Sequence, residues 1–409
     1  MTQELRLAKR LAASLDVAAR SIPILGHRAD ISDANRQAFR REKFICETAI
    51  LVYAAFQATE HASSLRRRCL EVAKLVEPIA RGDEILSLMC LRPNMISELS
   101  VAHACLSAIG FIDTRFDDRI RKILVHGYRA PERAPWKDIE AHWIASKCQH
   151  LQSPDWWQQS AARTTLATGL DVLTSRREDL YAFTHAAIYI TDFGNETNCT
   201  LRNLLDILAD AEGALARSID DDDFDLCAEL IMMWPYFGAS LDSTPRFCLT
   251  VMEAIEDDIG FLPSLSIRTS ELAGLAPEVR KYRVLDEAYH TVYVMGLLCA
   301  SLMRRPIPNE AHPVLRPAEP ARIRELLLPK SQTPQWEVAF DSAQSDTKSG
   351  LSSFLASIAL RRALIANDLN LVRRILIVCS DSGLAMNSAM FNATKIILRL
   401  AETWRIRDA

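Results

Sequence analysis

Glycine is scarce in this chain, at 13 of 409 residues, and alternating β-branched runs are nearly absent. Few positions therefore supply the left-handed turns that hairpins and sheets require, which excludes a β-rich architecture. No two cysteines form a CxxC pair: the ten stand singly at 46, 69, 90, 105, 148, 199, 227, 248, 299 and 379. That spacing excludes a zinc knuckle or disulfide scaffold and points to reduced, buried thiols in a cytoplasmic protein. No stretch approaches the about 18 uncharged apolar residues of a membrane-spanning helix. Residues 1–20 form an amphipathic Arg/Leu/Ala helix, broken by Glu4 and Asp16, without the apolar core of a signal peptide. Basic excess is missing as well: the net charge is −4 with both signs interspersed, so there is no general footprint for nucleic acid. The chain has no P-loop, dinucleotide glycine fingerprint, nucleophile elbow or kinase signature. Nucleotide-driven chemistry is disfavoured, and no cofactor is expected.

What is present is helical. Ala, Leu and Arg dominate, and 49% of residues are apolar against 24% charged, as in a globular all-α protein. Apolar period and capping residues predict helices near 36–57, 61–80, 83–91, 95–109, 113–125, 137–149, 179–194, 201–218, 223–237, 245–259, 277–303, 336–342, 351–365, 369–380 and 386–406. The charged segment 113–125 is expected to be a solvated, salt-bridged face. Residues 1–35 are read as an N-terminal helix and loop, and 36–409 as a single domain of helical hairpins. Seven prolines between 306 and 334 mark a crossing loop at about 304–335. Asp179 to Gly194, Asp223 to Gly238 and Asp368 to Gly383 cover equal distances, each from a helix-capping Asp to a Gly stop. Such a repeat suggests stacked helical hairpins, as a solenoid or an α/α toroid, closed or partly open.

Two apolar helices carry polar stripes. In 178–194, Tyr181, His185, Tyr189 and Asp192 fall on one face, and in 281–296 so do Tyr282, Asp286, His290 and Tyr293, with Tyr289 beside them. The expected roles are acid–base chemistry for His185, Asp192, Tyr189, His290, Asp286 and Tyr293, and substrate binding for Tyr181, Tyr282 and Tyr289. In this scheme each Asp orients an imidazole and a Tyr donates to a developing oxyanion. The bland alternative is satisfied core histidines and packed phenols. A metal is the weaker expectation: there is no HExxH, and the Glu287/His290 pair has no second copy. His61, His103, His142 and His150 are expected to be ordinary, and Trp156 and Trp157 to pack.

The acidic run Asp220, Asp221, Asp222, Asp223, Asp225 satisfies both the DDxxD and the DxDD spacing of terpene synthases and cyclases. Any run this acidic does so by chance, and it precedes an apolar helix whose free N–H groups carboxylates cap. Terpene cyclisation stays open as a minor alternative.

The blocks Thr-His-x6-Asp-Phe-Gly (184–194), Asp-x-x-Tyr-His-Thr (286–291) and Asp-x-Asp-Leu-x-x-Glu-Leu (223–230) resemble the signatures of an uncharacterised family of bacterial all-helical proteins. The resemblance spans about residues 170–300 and implies a helical fold with a shared site. It also implies an association with natural-product or peptide-tailoring genes. The texture further resembles α/α-toroid enzymes at the level of fold, which does not itself imply function. The resulting expectation is a cytoplasmic enzyme of specialised metabolism acting on a small molecule or modified peptide. The competing class is a non-catalytic helical-repeat scaffold that binds a partner or carrier protein.

Overall fold

The computed structural model describes residues 2–25, 41–125, 133–148, 157–197, 201–265, 267, 274–304 and 320–407. Helix makes up 76% of the described residues, and no strand occurs among them. The helices are α1 (Gln3–Leu25), α2 (Arg41–Ala58), α3 (Ser64–Ala80), α4 (Asp83–Leu91), α5 (Ile96–Ala108), α6 (Thr114–Val125), α7 (Pro135–Lys147) and α8 (Trp157–Ala161). Next along the chain are α9 (Thr165–Thr168), α10 (Arg177–Ile190), α11 (Leu204–Asp220), α12 (Phe224–Ile231), α13 (Met233–Tyr236), α14 (Ser243–Ile259) and α15 (Pro277–Arg304). The last are α16 (Pro320–Arg324), α17 (Gln335–Ser342), α18 (Ser345–Ser349), α19 (Ser352–Ile365), α20 (Leu369–Asp381) and α21 (Ser388–Arg407).

The expected loop at 21–35 begins later than the sequence suggests, because α1 runs on to Leu25 through Pro23. The proline removes one i→i−4 donor, but it does so two residues before the helix ends, and the Ser21 hydroxyl binds the Val17 carbonyl at 2.7 Å. The remainder of that loop, His150, Trp156 and the proline-rich residues 305–319 lie outside the described residues. The 113–125 face is not wholly solvated: Asp117 is buried, with its carboxylate 2.9 Å from His103 Nε2.

The chain groups into two compact units: Met1–Thr164, His185–Cys199 and Phe261–Pro306 form the first, and Thr165–Thr184, Thr200–Gly260 and Ile307–Ala409 the second. In the first, α2 lies in the middle, packed on α3, α5 and α15. Its Phe44, Leu51, Val52 and Tyr53 are buried. At Gly296 three helices meet so closely that an added Cβ would lie 2.8 Å from both Leu51 of α2 and Ser14 of α1. Ser14 secures the approach with a hydroxyl bond to the Val292 carbonyl.

In the second unit the hairpins α11–α12 and α19–α20 share one turn at an offset of 145 positions. Asp222 and Asn367 are left-handed, with φ of 56° and 57°. The next residues, Asp223 and Asp368, cap the following helix by accepting from Leu226 N and Leu371 N. Gly238 and Gly383 both come after the second helix with positive φ. The third copy expected from sequence, at 179–194, is built differently. Its helix starts at Arg177, and Asp179 accepts from Arg176 N.

A buried ionic network ties this unit together. Arg362 donates to Asp220 at 2.5 and 3.1 Å, to Glu337 at 2.7 Å and to the Leu328 carbonyl at 2.6 Å. Trp336 Nε1 donates to Asp220 at 3.0 Å. Removing one member of such a network leaves uncompensated buried charge. Arg362→Ala is expected to cost about 3–5 kcal/mol in urea unfolding. The exposed Arg373→Ala is expected to stay within about 0.5 kcal/mol of wild type.

Candidate functional site

The stripe on α10 is a contact face, and its partner is α7. Trp136 packs on His185 with ring centres 4.8 Å apart, the Tyr189 hydroxyl donates to Glu140 Oε1 at 2.8 Å, and Trp143 Nε1 donates to Asp192 Oδ1 at 2.6 Å. Each pair is separated by 49 positions, so steps of four and three on one helix meet the same steps on the other. A constant offset means that the two helices run in the same direction. Glu140 is buried and also receives Lys137 Nζ at 2.7 Å. Burial and the Glu140 charge push the Tyr189 hydroxyl far above its ordinary range, so it remains a donor.

Asp192 opens a turn of three successive left-handed residues, with φ of 47° at Asp192, 56° at Phe193 and 82° at Gly194. Only the last is glycine, so the first two carry strain of about 1–2 kcal/mol each. Bonds hold them in place. Asp192 Oδ1 receives Tyr53 Oη at 2.8 Å as well as Trp143, and Oδ2 receives Lys147 Nζ at 2.7 Å and Asn195 Nδ2 at 3.1 Å. Arg304 binds the Phe193 carbonyl at 3.2 Å and the Asn195 side-chain oxygen. Four donors fill the lone-pair sites of one carboxylate, which makes Asp192 the anchor of the turn. It is not arranged as the orienter of an imidazole.

The carboxylate that lies beside an imidazole stands elsewhere. Glu47 Oε1 lies 3.1 Å from His290 Nδ1 and 3.5 Å from Lys43 Nζ. Burial would raise the Glu47 carboxyl, but His290, by charge and by hydrogen bond, outweighs it together with Lys43 and Tyr289, and the group sits below its ordinary range. The carboxylate is 17% exposed and the imidazole 33%, so both are part-buried. Beside them the Tyr293 hydroxyl is 3.2 Å from Thr48 Oγ1, and Tyr289 packs edge-on against Phe44 and Tyr293. Helix α2 thus serves both stripes: Glu47 and Thr48 meet α15, while Tyr53 holds Asp192. The side chains of Tyr282 and Asp286 lie outside the described residues.

Tyr181 belongs to the second unit, where its hydroxyl donates to Asp225, and Thr184 donates likewise to Glu229. Arg177 forks onto Asp223 at 2.6 and 2.9 Å. Arg361 does the same to Asp221 at 2.8 and 2.6 Å, and Asp220 is held by Arg362 and Trp336. The acidic run is therefore a helix junction neutralised by arginines. A magnesium–diphosphate centre would need those carboxylates turned to a shared cation.

His103, Asp117 and Cys148, all buried in the first unit, hold their ligand atoms within 4.8 Å of one another. The hydrogen bonds argue against a metal there. Arg81 Nε donates to His103 Nδ1 at 3.0 Å, so the ring proton must sit on Nε2, facing Asp117. A metal on Nε2 would move that proton to Nδ1, against the arginine N–H. Burial holds this imidazole below its ordinary range and pushes the Cys148 thiol up to about 12. The imidazole is a structural link between Arg81 and Asp117.

Sequence reasoning missed Glu47, Tyr53, Glu140, Trp143 and Lys147. The one local signal was at Glu47, an acid beside the apolar run of α2. The fold and these pairings define an all-helical protein whose inward polar residues are matched between helices. Residues 11–300 match the family described as Domain of unknown function (DUF6895), and the chain belongs to it. No curated protein and no solved structure matches the chain.

No helix among the described residues is long and apolar enough to cross a membrane. Asp192→Ala should destabilise the first unit by about 3–5 kcal/mol, because Lys147, Trp143 and Tyr53 lose one common acceptor. Asp192→Asn should cost less. Denaturant unfolding of the two variants checks the order.

Proposed function

We propose that this protein is an enzyme acting on a small molecule or modified peptide by general acid–base chemistry, with His290 as the proton-transfer group and Glu47 as its positioning residue. The observation that supports the reading is the Glu47–His290 pair, a carboxylate 3.1 Å from the Nδ1 of a part-buried imidazole. A carboxylate at Nδ1 fixes the proton there and makes Nε2 the basic nitrogen. Tyr289 and Tyr293, both buried, brace the pair from the same stretch of α15, Tyr289 through a bond to the Glu47 carboxyl and Tyr293 through Thr48. His185, half-buried beside Trp136, supplies the second imidazole. The resemblance carried by the Thr-His-x6-Asp-Phe-Gly and Tyr-His-Thr blocks favours bacterial specialised metabolism as the setting of this chemistry.

The paired hairpins at 215–238 and 360–383 favour a second reading, a helical-repeat scaffold for a partner protein. The two readings differ in what the imidazoles do. Wild-type, His290→Ala, His185→Ala and Glu47→Gln proteins incubated with small-molecule extracts, followed by mass spectrometry, decide between them. The enzyme reading expects masses consumed by wild type to persist with His290→Ala. Glu47→Gln is expected to slow turnover about 10- to 100-fold, in the range seen when an outer partner of an imidazole is removed, with a changed pH profile. Because residues acting in one step are non-additive, His185→Ala/His290→Ala should lose little beyond either single change. Equal turnover per folded molecule in all four proteins would remove the site from consideration.

A further inference from the structure

Helix α21 changes character along its length. Its first turns are held by the rest of the second unit: Ala389, Met390, Asn392 and Ala393 are buried, with α11 and α19 packed against the helix. The Asn392 side chain accepts from Val172 N at 3.0 Å, and Ser388 Oγ donates to Asp210 at 2.6 Å. From Thr394 to Thr403 no residue of the helix is buried, although this part carries Ile396, Ile397, Leu398 and Leu400. Leu398 is 57% exposed, and Phe391, two turns before it, 50%. Neighbouring exposed apolar side chains on one helix mark an interaction face.

At about 100° per residue, Thr394, Ile397, Leu398 and Ala401 fall on one side of α21, with Phe391 beside them. Lys395 and Glu402 stand together along one edge of that side. They are about 10 Å apart along the helix axis, so they do not meet within one chain. Lys395 Nζ lies 4.2 Å from the centre of the Phe391 ring, and neither charge is ion-paired with another described residue.

We propose that this part of α21 is where two copies of the chain associate, as an antiparallel helix pair about a two-fold axis passing between residues 398 and 399. A two-fold contact repeats every pairing in reverse. Lys395 of each copy is then level with Glu402 of the other, Ile397 with Leu400, and Ile396 with Ala401, while Leu398 meets its own counterpart at the axis. The rotation brings each edge of the helix against the same edge of the second copy, so the edge that carries Lys395 and Glu402 is complementary to itself. A parallel pair would set Lys395 on Lys395 and Glu402 on Glu402, and edge charges of paired helices select against that orientation. Self-complementarity in both charge and apolar character is what a second copy requires, and an unrelated partner requires no such symmetry. A contact of about three turns on each side is small beside the about 800 Å² per partner of a stable interface. The association is therefore a weak one, at micromolar concentrations.

Sedimentation velocity of the full chain, loaded from about 1 to 200 μM, tests the pairing. Wild type should pass from monomer to dimer over that range, and added salt should weaken the dimer. Lys395→Glu and Glu402→Lys should each weaken association by about tenfold or more, because either change sets two like-charged pairs across the axis. The chain carrying both reversals regains opposite charges and should associate within about threefold of wild type. A change that merely disturbed the fold would not be rescued in this way, since the two positions do not touch within one chain. Wild type that stays monomeric at the highest concentration would overturn the proposal. So would a dimer indifferent to the single reversals, or a double reversal that associates no better than the singles.

Discussion

A carboxylate taken out of water must be met by donors, and in this protein those donors stand on other helices. Asp192 is met from α2 and α7, Glu47 from α15, Glu140 from α10 and from its own turn, and Asp220 from α17 and α19. A half-satisfied buried network is worse than an apolar core of the same shape. Each acid therefore fixes the rotation and height of the helix that carries it. Apolar packing alone tolerates a helix slipping or turning by a fraction of a residue. These bonds do not, and they narrow the many ways of packing greasy cylinders to one.

The helices were legible because their signals are local. Asp223 and Asp368 cap the helices that their spacing assigns to them, and Gly238 and Gly383 end those same segments. A local rule failed at Pro23, which stands inside the final turn of α1 and does not stop the helix, although it removes one i→i−4 donor there. The stripes were legible too, but only as stripes. Tyr189 and Asp192 find their partners 49 positions earlier, and nothing in residues 178–194 announces Trp136, Glu140 or Trp143. Glu47 was hidden for another reason. It is an acid just inside the apolar run of α2, and the period of that helix says which face it occupies without saying that an imidazole waits there.

Pairing each histidine with an aspartate of its own helix is natural from spacing, yet the described residues arrange the groups between helices. A glutamate on a facing helix approaches from the front. Glu47 meets Nδ1 of His290 in this way, and Tyr53 meets Asp192 from the same helix about 9 Å further along, given 1.5 Å per residue. One central rod thereby sets the distance between the two polar stripes that the sequence presents as unrelated.

The fixed separation of 49 positions between α7 and α10 limits how this chain can change length. An insertion in the connection between them leaves both faces untouched, since neither helix turns. An added residue inside α7 between Trp136 and Trp143 would instead rotate everything after it by about 100°. Contacts on one side of the insertion would keep their partners, and those on the other side would face elsewhere. Length variation among related chains is thus expected to gather in the stretch joining the two helices, and the helices themselves to keep their residue count even where side chains drift. The register acts as a ruler, one that records which relatives share this arrangement before any side chain is compared.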